Sequence, residues 1–363
     1  MRVPIDSWYA ILEAKEVRRG KPHAARRLGL DLVLWRDADT VVRAVTDRCP
    51  HRGTALSAGR VRDGCIECPF HGFRFDGDGA CVKVPCNGPD AQRPRHLATR
   101  SFVLREEHGL VWLWWGEARA EYPPVPWFPE LEVGYEHSGF TVDSEVNWMR
   151  NVENQLDWAH LPFIHGTTIG SGFNPQIKVH SRVQDDRIIT WVDDPQGARG
   201  QPTVATTFAF ANIWHLPFGG QRMSGFIAFA PVDETHTRMY FRTYTRRLLV
   251  PGIAKAVCTV MDLFNRVVVR QDTRVVATQP PGETTQAHDE RLVQADLPIA
   301  QFRKEVARRS LPRATLRGPS RAAVPSDGTE PSTEPSTQPS TKPSTKPSTQ
   351  PEISPVDPPV LTG

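Results

Sequence analysis

The feature that most constrains this chain is a repeated pair of metal-ligating residues. The first loop, Cys49-Pro50-His51, is followed sixteen residues later by the second, Cys68-Pro69-Phe70-His71. Each loop offers one thiolate and one imidazole, and each is followed by a glycine that favours a turn. Two cysteines and two histidines can hold one structural zinc ion, or a binuclear iron–sulfur cluster in which both cysteines bind one iron and both histidines the other. Zinc sites usually pair like residues within each loop, so the alternation favours the cluster.

Composition and charge exclude several classes of protein. The chain has 363 residues, enough for two or three domains, and its 44 basic and 41 acidic residues leave a net charge of only +3. Such a balance argues against a nucleic-acid binder. No apolar run approaches the roughly 20 residues of a membrane span, and the N-terminus lacks an apolar signal segment. We therefore expect a cytoplasmic protein without nucleic-acid or membrane partners, whose cysteines serve as metal ligands or free thiols.

The pattern of short strands and turns predicts an α+β protein. Residues 1–118 read as a small antiparallel β domain, and a proline-rich linker follows at 119–136. Residues 137–312 alternate strand-like runs with predicted helices at about 148–160, 253–272 and 298–309. A curved antiparallel sheet around the long middle helix, a helix-grip arrangement, fits this order. Residues 313–363 contain five Pro-Ser-Thr-x repeats and are predicted to be a disordered tail.

A second metal site is indicated by His160 and His165. In one ideal helix these side chains would point about 140° apart, so both can bind one metal only if the helix ends between them. Pro162 is predicted to supply that break. The alternative is two ordinary histidines at a helix end. Asn154 and Asp157 precede the pair on the same helix; Asn154 is read as a polar group near the metal or as a helix cap.

Asp272 is the candidate third ligand. The long helix carries an apolar stripe at Val257, Val260, Met261, Phe264, Val267 and Val268. Asp272 lies about 40° from Val268 in helix phase, so we expect it to be buried, whereas Asp262 should lie on the polar side. A buried carboxylate needs a partner. A 2-His-1-carboxylate iron site supplies one; the alternative is an ion pair with Arg266 or Arg270.

Taken together, residues 1–310 resemble the catalytic (alpha) subunit of the Rieske non-haem iron oxygenases. The resemblance rests on the Cys-x-His and Cys-x2-His loops, on Asn-x2-Asp-x2-His-x4-His and on the late aspartate. Phe70 and Phe73 depart from it, because the family often has Tyr and Trp there. In length and layout the chain is most similar to the smaller branch without a β subunit, which includes dicamba O-demethylase.

The resemblance implies cofactors, partners and a reaction. It implies a [2Fe–2S] cluster, a mononuclear Fe(II), and NAD(P)H that acts indirectly through a ferredoxin or flavin reductase. It also implies a homotrimer in which Asp157 joins His71 of one subunit to His160 of the next. The expected reaction is O2-dependent hydroxylation or oxidative O- or N-demethylation of a mainly apolar ring compound. The alternatives are cis-dihydroxylation and, in a different class, a non-catalytic Rieske electron-transfer protein with a ligand-binding domain.

A substrate pocket is predicted from alternation along one run of sequence. If a single strand continues through the run, alternate residues share one face of the sheet. The predicted pocket residues, of which Asn212 would orient the substrate, are Phe208, Phe210, Asn212, Trp214, Leu216 and Met223.

Overall fold

Antiparallel strands make up most of the structure in both halves of the chain. This computed structural model describes residues 1–88, 96–171, 173–193, 205–248, 252–280, 282–285 and 289–310. The α+β class predicted from the sequence is confirmed. The Pro-Ser-Thr repeats of the predicted tail lie outside the described residues.

The N-terminal half consists of three small antiparallel sheets among the described residues. Their strand orders are β1-β10-β9, β2-β3-β4 and β5-β6-β7-β8. The strands are β1 Ser7–Glu13, β2 His23–Arg27, β3 Leu30–Arg36, β4 Val42–Thr46, β5 Arg60–Arg62, β6 Cys65–Glu67, β7 Arg74–Phe75, β8 Cys81–Lys83, β9 Leu104–Glu107 and β10 Leu110–Trp115.

Two hairpins of the first half turn at residues that favour tight turns. Strand β3 pairs with β4 across the Asp37-Ala38-Asp39 turn, and β9 pairs with β10 across His108 and Gly109. His108 and Gly109 have φ of 54° and 73°, and positive φ at both central residues is what a tight hairpin turn needs. Every residue of β10 is buried, so this strand anchors the first half.

The second half is built on one seven-stranded antiparallel sheet, in the order β11-β17-β16-β15-β14-β13-β12. Helix α3 lies against β11 and β17, where the hydroxyls of Ser138 and Thr243 each donate a 2.6 Å hydrogen bond to Asp262 of the helix. The helix-grip arrangement is therefore confirmed. The elements are β11 Tyr135–Ser144, α1 Trp148–Leu156, α2 Leu161–Ile164, β12 Val179–Gln184, β13 Arg187–Val192, β14 Ala205–Ala209, β15 Ile213–Phe218, β16 Met223–Pro231, β17 Thr237–Arg246, α3 Ile253–Val276 and α4 Leu297–Arg309.

The helix predicted at about 148–160 is shorter than expected. It ends at Leu156, and Asp157 follows it in an extended conformation, with φ of −83° and ψ of 122°. Pro162 is therefore not the residue that ends this helix. It lies in the first turn of α2, where a missing N–H costs nothing and no preceding helical turn exists for the ring to meet.

The buried face of α3 is also different from the predicted one. Much of the predicted apolar stripe is exposed; Val260, for example, is 65% exposed. The helix instead buries Ala254, Cys258, Asp262, Val269, Asp272 and Val276. Asp262, predicted to lie on the polar side, is buried because two strand hydroxyls satisfy its carboxylate. The small side chains of Ala254 and Cys258 let this face lie close to the sheet.

The two halves are joined by buried polar contacts. The Arg242 guanidinium of β17 makes two hydrogen bonds to Glu13 of β1, at 2.9 and 2.8 Å. The Arg27 guanidinium of β2 donates to the Tyr240 hydroxyl at 2.8 Å. Consistent with these contacts, the described residues of both halves belong to one compact unit. None of the helices in the described ranges is both long enough and apolar enough to cross a bilayer.

Candidate metal centres

The two cluster loops have matching backbone geometry. The N–H of Gly53 donates to the carbonyl of Cys49 at 2.8 Å, and the N–H of Gly72 donates to the carbonyl of Cys68 at 3.0 Å. Both glycines have positive φ, 79° and 69°, which a side chain would resist. Each cysteine therefore begins a tight turn that projects the following histidine outward.

The four ligands separate into a buried pair and an exposed pair. Cys49 and Cys68 are each 2% exposed, whereas His51 and His71 are at the surface with ring centroids 4.8 Å apart. Phe73 stacks on His51. Burial and the adjacent Cys68 thiol raise the pKa of Cys49 to about 11, so a bound cation is needed to hold Cys49 as a thiolate at neutral pH.

This separation fits a binuclear cluster better than a single zinc ion. A tetrahedral zinc site would bring all four ligand atoms around one point. Within the described part of the chain, the one group of three or more such ligands that converges to within 4.8 Å is His160, His165 and Asp272. The donor set of two thiols inside and two imidazoles outside suits a [2Fe–2S] centre with unlike irons.

His160, His165 and Asp272 come together from three places in the chain. His160 precedes α2, His165 follows it, and Asp272 is on α3. Asp272 Oδ1 lies 2.9 Å from His165 Nε2 and 3.6 Å from His160 Nε2. These separations leave room for one ion with bonds of about 2 Å to each ligand. The predicted convergence of the three side chains is thus what the structure contains.

The arginines proposed as alternative partners of Asp272, Arg266 and Arg270, do not pair with it in the described structure. Its ion pairs are with the two histidines. Arg266 instead lies over the Phe140 ring at 4.4 Å. Three mutually facing, largely buried ligands of this type are the set that non-haem Fe(II) sites use.

Asp157 lies between this site and the protein surface. Its Oδ1 accepts the Ala159 N–H at 2.7 Å, and its Oδ2 lies 3.6 Å from His160 Nδ1. That His160 nitrogen is buried and has no hydrogen-bond partner among the described residues. The Asp157 side chain is 26% exposed, so it can contact His160 and an outside group together.

Asn154 does not cap α1. The cap at the start of α1 is Asn147, whose side chain accepts the Met149 N–H at 3.0 Å, and Asp157 follows the end of the helix. Asn154 is partly exposed one turn before Asp157. The helix-cap alternative is therefore wrong.

Four predicted pocket residues face the helix side of the sheet: Leu216, Met223, Trp214, and Phe208, which is paired with Trp214. Leu216 is opposite Gly225, which is opposite Thr243, and Thr243 bonds to α3. Directly paired residues share a face, as do alternate residues along a strand. Trp214 and Met223 therefore face the same side as Leu216. Trp214 is 6% exposed, and its indole N–H has no partner within the described structure.

Phe208 also packs against a helix, and the remaining two predicted pocket residues, Phe210 and Asn212, have structural roles. The strand β14 ends at Ala209, so the assumed continuous alternation is wrong. Phe208 and Phe210 pack on Phe302 of α4, at 5.3 and 6.2 Å between ring centroids. Asn212, predicted to orient a substrate, is fully buried; its amide bonds to the backbone of Ala10 and Phe229 at 2.8–3.1 Å. It joins the two halves of the protein instead.

Sequence reasoning missed one residue that contacts a candidate metal ligand, Gln271, and one buried carboxylate of α1, Glu153. Gln271, next to Asp272, contacts His165, and no local pattern distinguishes it from a surface glutamine. Glu153, next to Asn154, is 5% exposed and is held by Arg303 of α4 at 2.8 and 2.9 Å. A carboxylate on the buried face of a helix was the available signal for Glu153.

Comparison with known proteins places this geometry in a family. Residues 7–103 match the Rieske [2Fe–2S] domain family, so the first half is a domain of this class. The chain is 35% identical over 264 residues to a 4β-methylsterol monooxygenase of Methylococcus capsulatus, across 64% of this chain and 66% of that protein. It is 36% identical over 162 residues to the oxygenase component of dicamba O-demethylase from Stenotrophomonas maltophilia, across 44% of this chain and 47% of the relative.

The fold is similar to a solved structure over most of its length. Dicamba monooxygenase bound to dicamba superimposes with a TM-score of 0.69 at 22% identity, covering 85% of this chain and 98% of the other. The chain spans 30% to 66% of the length of the first curated relatives. The chain thus contains a Rieske [2Fe–2S] domain and is similar, in sequence and in fold, to catalytic alpha subunits of Rieske oxygenases.

Proposed function

We propose that this protein is the terminal oxygenase component of a Rieske non-haem iron system. Its reaction is the O2- and NAD(P)H-dependent hydroxylation or oxidative O- or N-demethylation of a mainly apolar, ring-containing small molecule. The observation that carries the proposal is the convergence of His160, His165 and Asp272 within 4.8 Å in a chain that also has a Rieske domain. A carrier of electrons alone has no use for this second site.

The roles of the ligand residues follow from their positions. Cys49, Cys68, His51 and His71 would hold the [2Fe–2S] cluster, with the histidines at the surface. His160, His165 and Asp272 would hold Fe(II) and leave coordination positions open. When bound, that iron supplies O2 activation beside the substrate. The protein positions the substrate, excludes water and controls when electrons arrive.

Asp157 is proposed to connect the two centres between subunits. Its distance of 3.6 Å from His160 Nδ1 and its partial exposure suit a carboxylate that accepts a hydrogen bond on each side. The exposed His71 of a neighbouring subunit would supply the second bond. A homotrimer, fed by a ferredoxin or a flavin reductase, is the assembly that this proposal requires.

The substrate is proposed to lie between the sheet and α3, beside Trp214, Leu216 and Met223. The apolar side chains favour a ring compound, and the Trp214 indole N–H supplies one buried donor without a protein acceptor in the described structure. A substrate oxygen, such as an ether or carbonyl, would satisfy that donor. Asn154, partly exposed one turn before Asp157, is proposed to face the same space.

Domain boundaries and location complete the proposal. We place the domains at 1–118 and 137–312, joined by the linker 119–136, with the tail at 313–363 as a spacer. A cytoplasmic location is proposed because Cys81 and Cys86 form no disulfide, as expected in a reducing compartment. Cell fractionation with an antibody to the chain tests the location.

A single-turnover experiment tests the reaction. The purified protein is reduced chemically without oxygen, then exposed to ¹⁸O2 in the presence of a panel of aromatic, alicyclic and O- or N-methylated compounds, and products are identified by mass. One labelled oxygen in the product, or loss of a methyl group, is expected. Two labelled oxygens in a cis-diol would instead favour a dioxygenase. The matched control, Asp272→Ala, should retain the cluster absorbance and give no product.

A further inference from the structure

Gln271 contacts the metal ligand His165 from the position next to Asp272. The Gln271 side-chain oxygen lies 2.8 Å from His165 Nδ1. The hydroxyl of Thr168 donates to the same oxygen at 3.0 Å. His165 is only 1% exposed at its side chain, so water cannot readily replace this contact. Helix α3 therefore holds His165 from both ends, through Gln271 at Nδ1 and Asp272 at Nε2.

The two ring nitrogens of His165 must have different protonation states to bind a metal. Nε2, which faces Asp272 at 2.9 Å, can bind only when it carries no hydrogen. The hydrogen of the neutral ring then lies on Nδ1 and needs an acceptor. The amide oxygen of Gln271 is that acceptor. If the amide were reversed, its NH2 group would donate to Nδ1 and leave the hydrogen on Nε2, where the metal belongs.

The two histidines differ in the charge of their outer partner. His160 Nδ1 faces the carboxylate of Asp157, whereas His165 Nδ1 faces a neutral amide. A carboxylate makes an imidazole a stronger electron donor and favours the more oxidised metal, while an amide orients the ring with much less effect on its basicity. Asp157 can therefore influence the redox potential of the metal through His160, whereas Gln271 mainly orients the His165 ring.

We propose that Gln271 is a positioning residue that holds His165 in the Nδ1–H tautomer for metal binding, and that its neutrality keeps the ferrous state accessible. This inference rests on the proposed function, because it assigns iron to His160, His165 and Asp272. It adds a residue outside the ligand set and a reason for an amide at this position.

Anaerobic Fe(II) titration of protein depleted of its mononuclear iron tests the inference. The variants are Gln271→Leu, which removes the acceptor, and Gln271→Glu, which keeps it but adds charge. Thr273→Val is the matched control, because Thr273 also adjoins Asp272 but its hydroxyl donates to Val269 of its own helix at 2.8 Å. Cluster absorbance and thermal unfolding confirm that each variant is folded. Should Gln271→Leu not fold, Gln271→Asn, which is too short to reach the ring, replaces it.

Gln271→Leu is expected to weaken binding of the third iron by about 10- to 100-fold, with Thr273→Val unchanged. Gln271→Glu is expected to bind iron as well as the parent protein but with a lower ferric/ferrous midpoint potential. Parent-like affinity in Gln271→Leu would overturn the tautomer assignment, and an unchanged midpoint in Gln271→Glu would overturn the role of neutrality. If the parent protein binds only the two cluster irons, the proposed function fails together with this inference.

Discussion

Replacing Arg303 with methionine is expected to destabilise the protein by about 3 kcal/mol. Arg303 of α4 donates two hydrogen bonds to Glu153 of α1, at 2.8 and 2.9 Å, and one to Glu290 at 2.6 Å. Glu153 is 5% exposed. Loss of the arginine would leave a buried carboxylate without its main cation, which typically costs about 3–5 kcal/mol.

In this structure the expected loss of unfolding free energy is at the lower end of that range. Glu153 keeps the hydroxyl of Thr284, at 2.5 Å, and the guanidinium of Arg150, at 3.5 Å. For a chain of this size, about 3 kcal/mol corresponds to a fall in Tm of about 6 °C, at about 2 °C per kcal/mol.

Differential scanning calorimetry of the metal-loaded protein checks the value. The double variant Glu153→Gln/Arg303→Met should unfold at a higher temperature than Arg303→Met, because the buried charge is removed with its partner. Arg308→Met, which breaks an exposed pair with Glu305 on the same helix, should leave Tm almost unchanged. A Tm for Arg303→Met as high as that of Arg308→Met would refute the reasoning.

Three further predictions concern electron transfer, pH and substrate binding. Asp157→Asn should leave both metal sites filled but abolish turnover coupled to the cluster; normal reduction of the mononuclear iron in stopped-flow experiments would contradict the bridge. His215 is 5% exposed, and burial lowers its pKa from 6.5 to about 4. The unfolded chain therefore binds more protons between these values, and lowering the pH from 7 to 5 should reduce the free energy of unfolding by about 2 kcal/mol through this group. Urea titrations should show that this part of the pH dependence is lost in His215→Gln, and an unchanged dependence would count against it. Trp214→Phe should raise KM for an oxygen-containing substrate about 10-fold with little change in thermal stability; an unchanged KM would exclude the Trp214 hydrogen bond.

The candidate metal ligands could be identified from the sequence because their signals are local. The cluster loops combine ligand type, spacing and a following glycine within a few residues, as at Cys49 and Gly53. His160 and His165 are close in sequence, and Asp272 is a carboxylate late in a long helix. Each of these features depends on few tertiary contacts, so it can be identified from the local sequence alone.

The sequence predictions are wrong where residues on other elements determine which side chains are buried. Asp262 is buried because Ser138, 124 residues earlier, and Thr243, on a different strand, supply hydroxyls to it. The apolar stripe through Val260 predicts that this face of α3 is buried. In the structure, the face that packs on the sheet is instead the one with the small side chains of Ala254 and Cys258. Helix phase can predict which residues share a face, but not which face the sheet will cover.

The pocket was only partly predictable for a related reason. Alternation places Trp214 and Leu216 on one face, as the strand pairing shows. The turn after Ala209 interrupts the pattern, and Asn212 bonds to Ala10, about two hundred residues earlier. Contacts between residues so far apart in the chain produce no pattern in the local sequence.

The central claim is that one chain holds both a Rieske cluster and a mononuclear iron. Iron and acid-labile sulfide per chain, measured on the reconstituted full-length protein, test it most directly. About three irons and about two sulfides per chain are expected. In Asp272→Ala the iron content should fall to about two per chain, while the sulfide content is unchanged. About two irons in the parent protein, with no loss in Asp272→Ala, would contradict it.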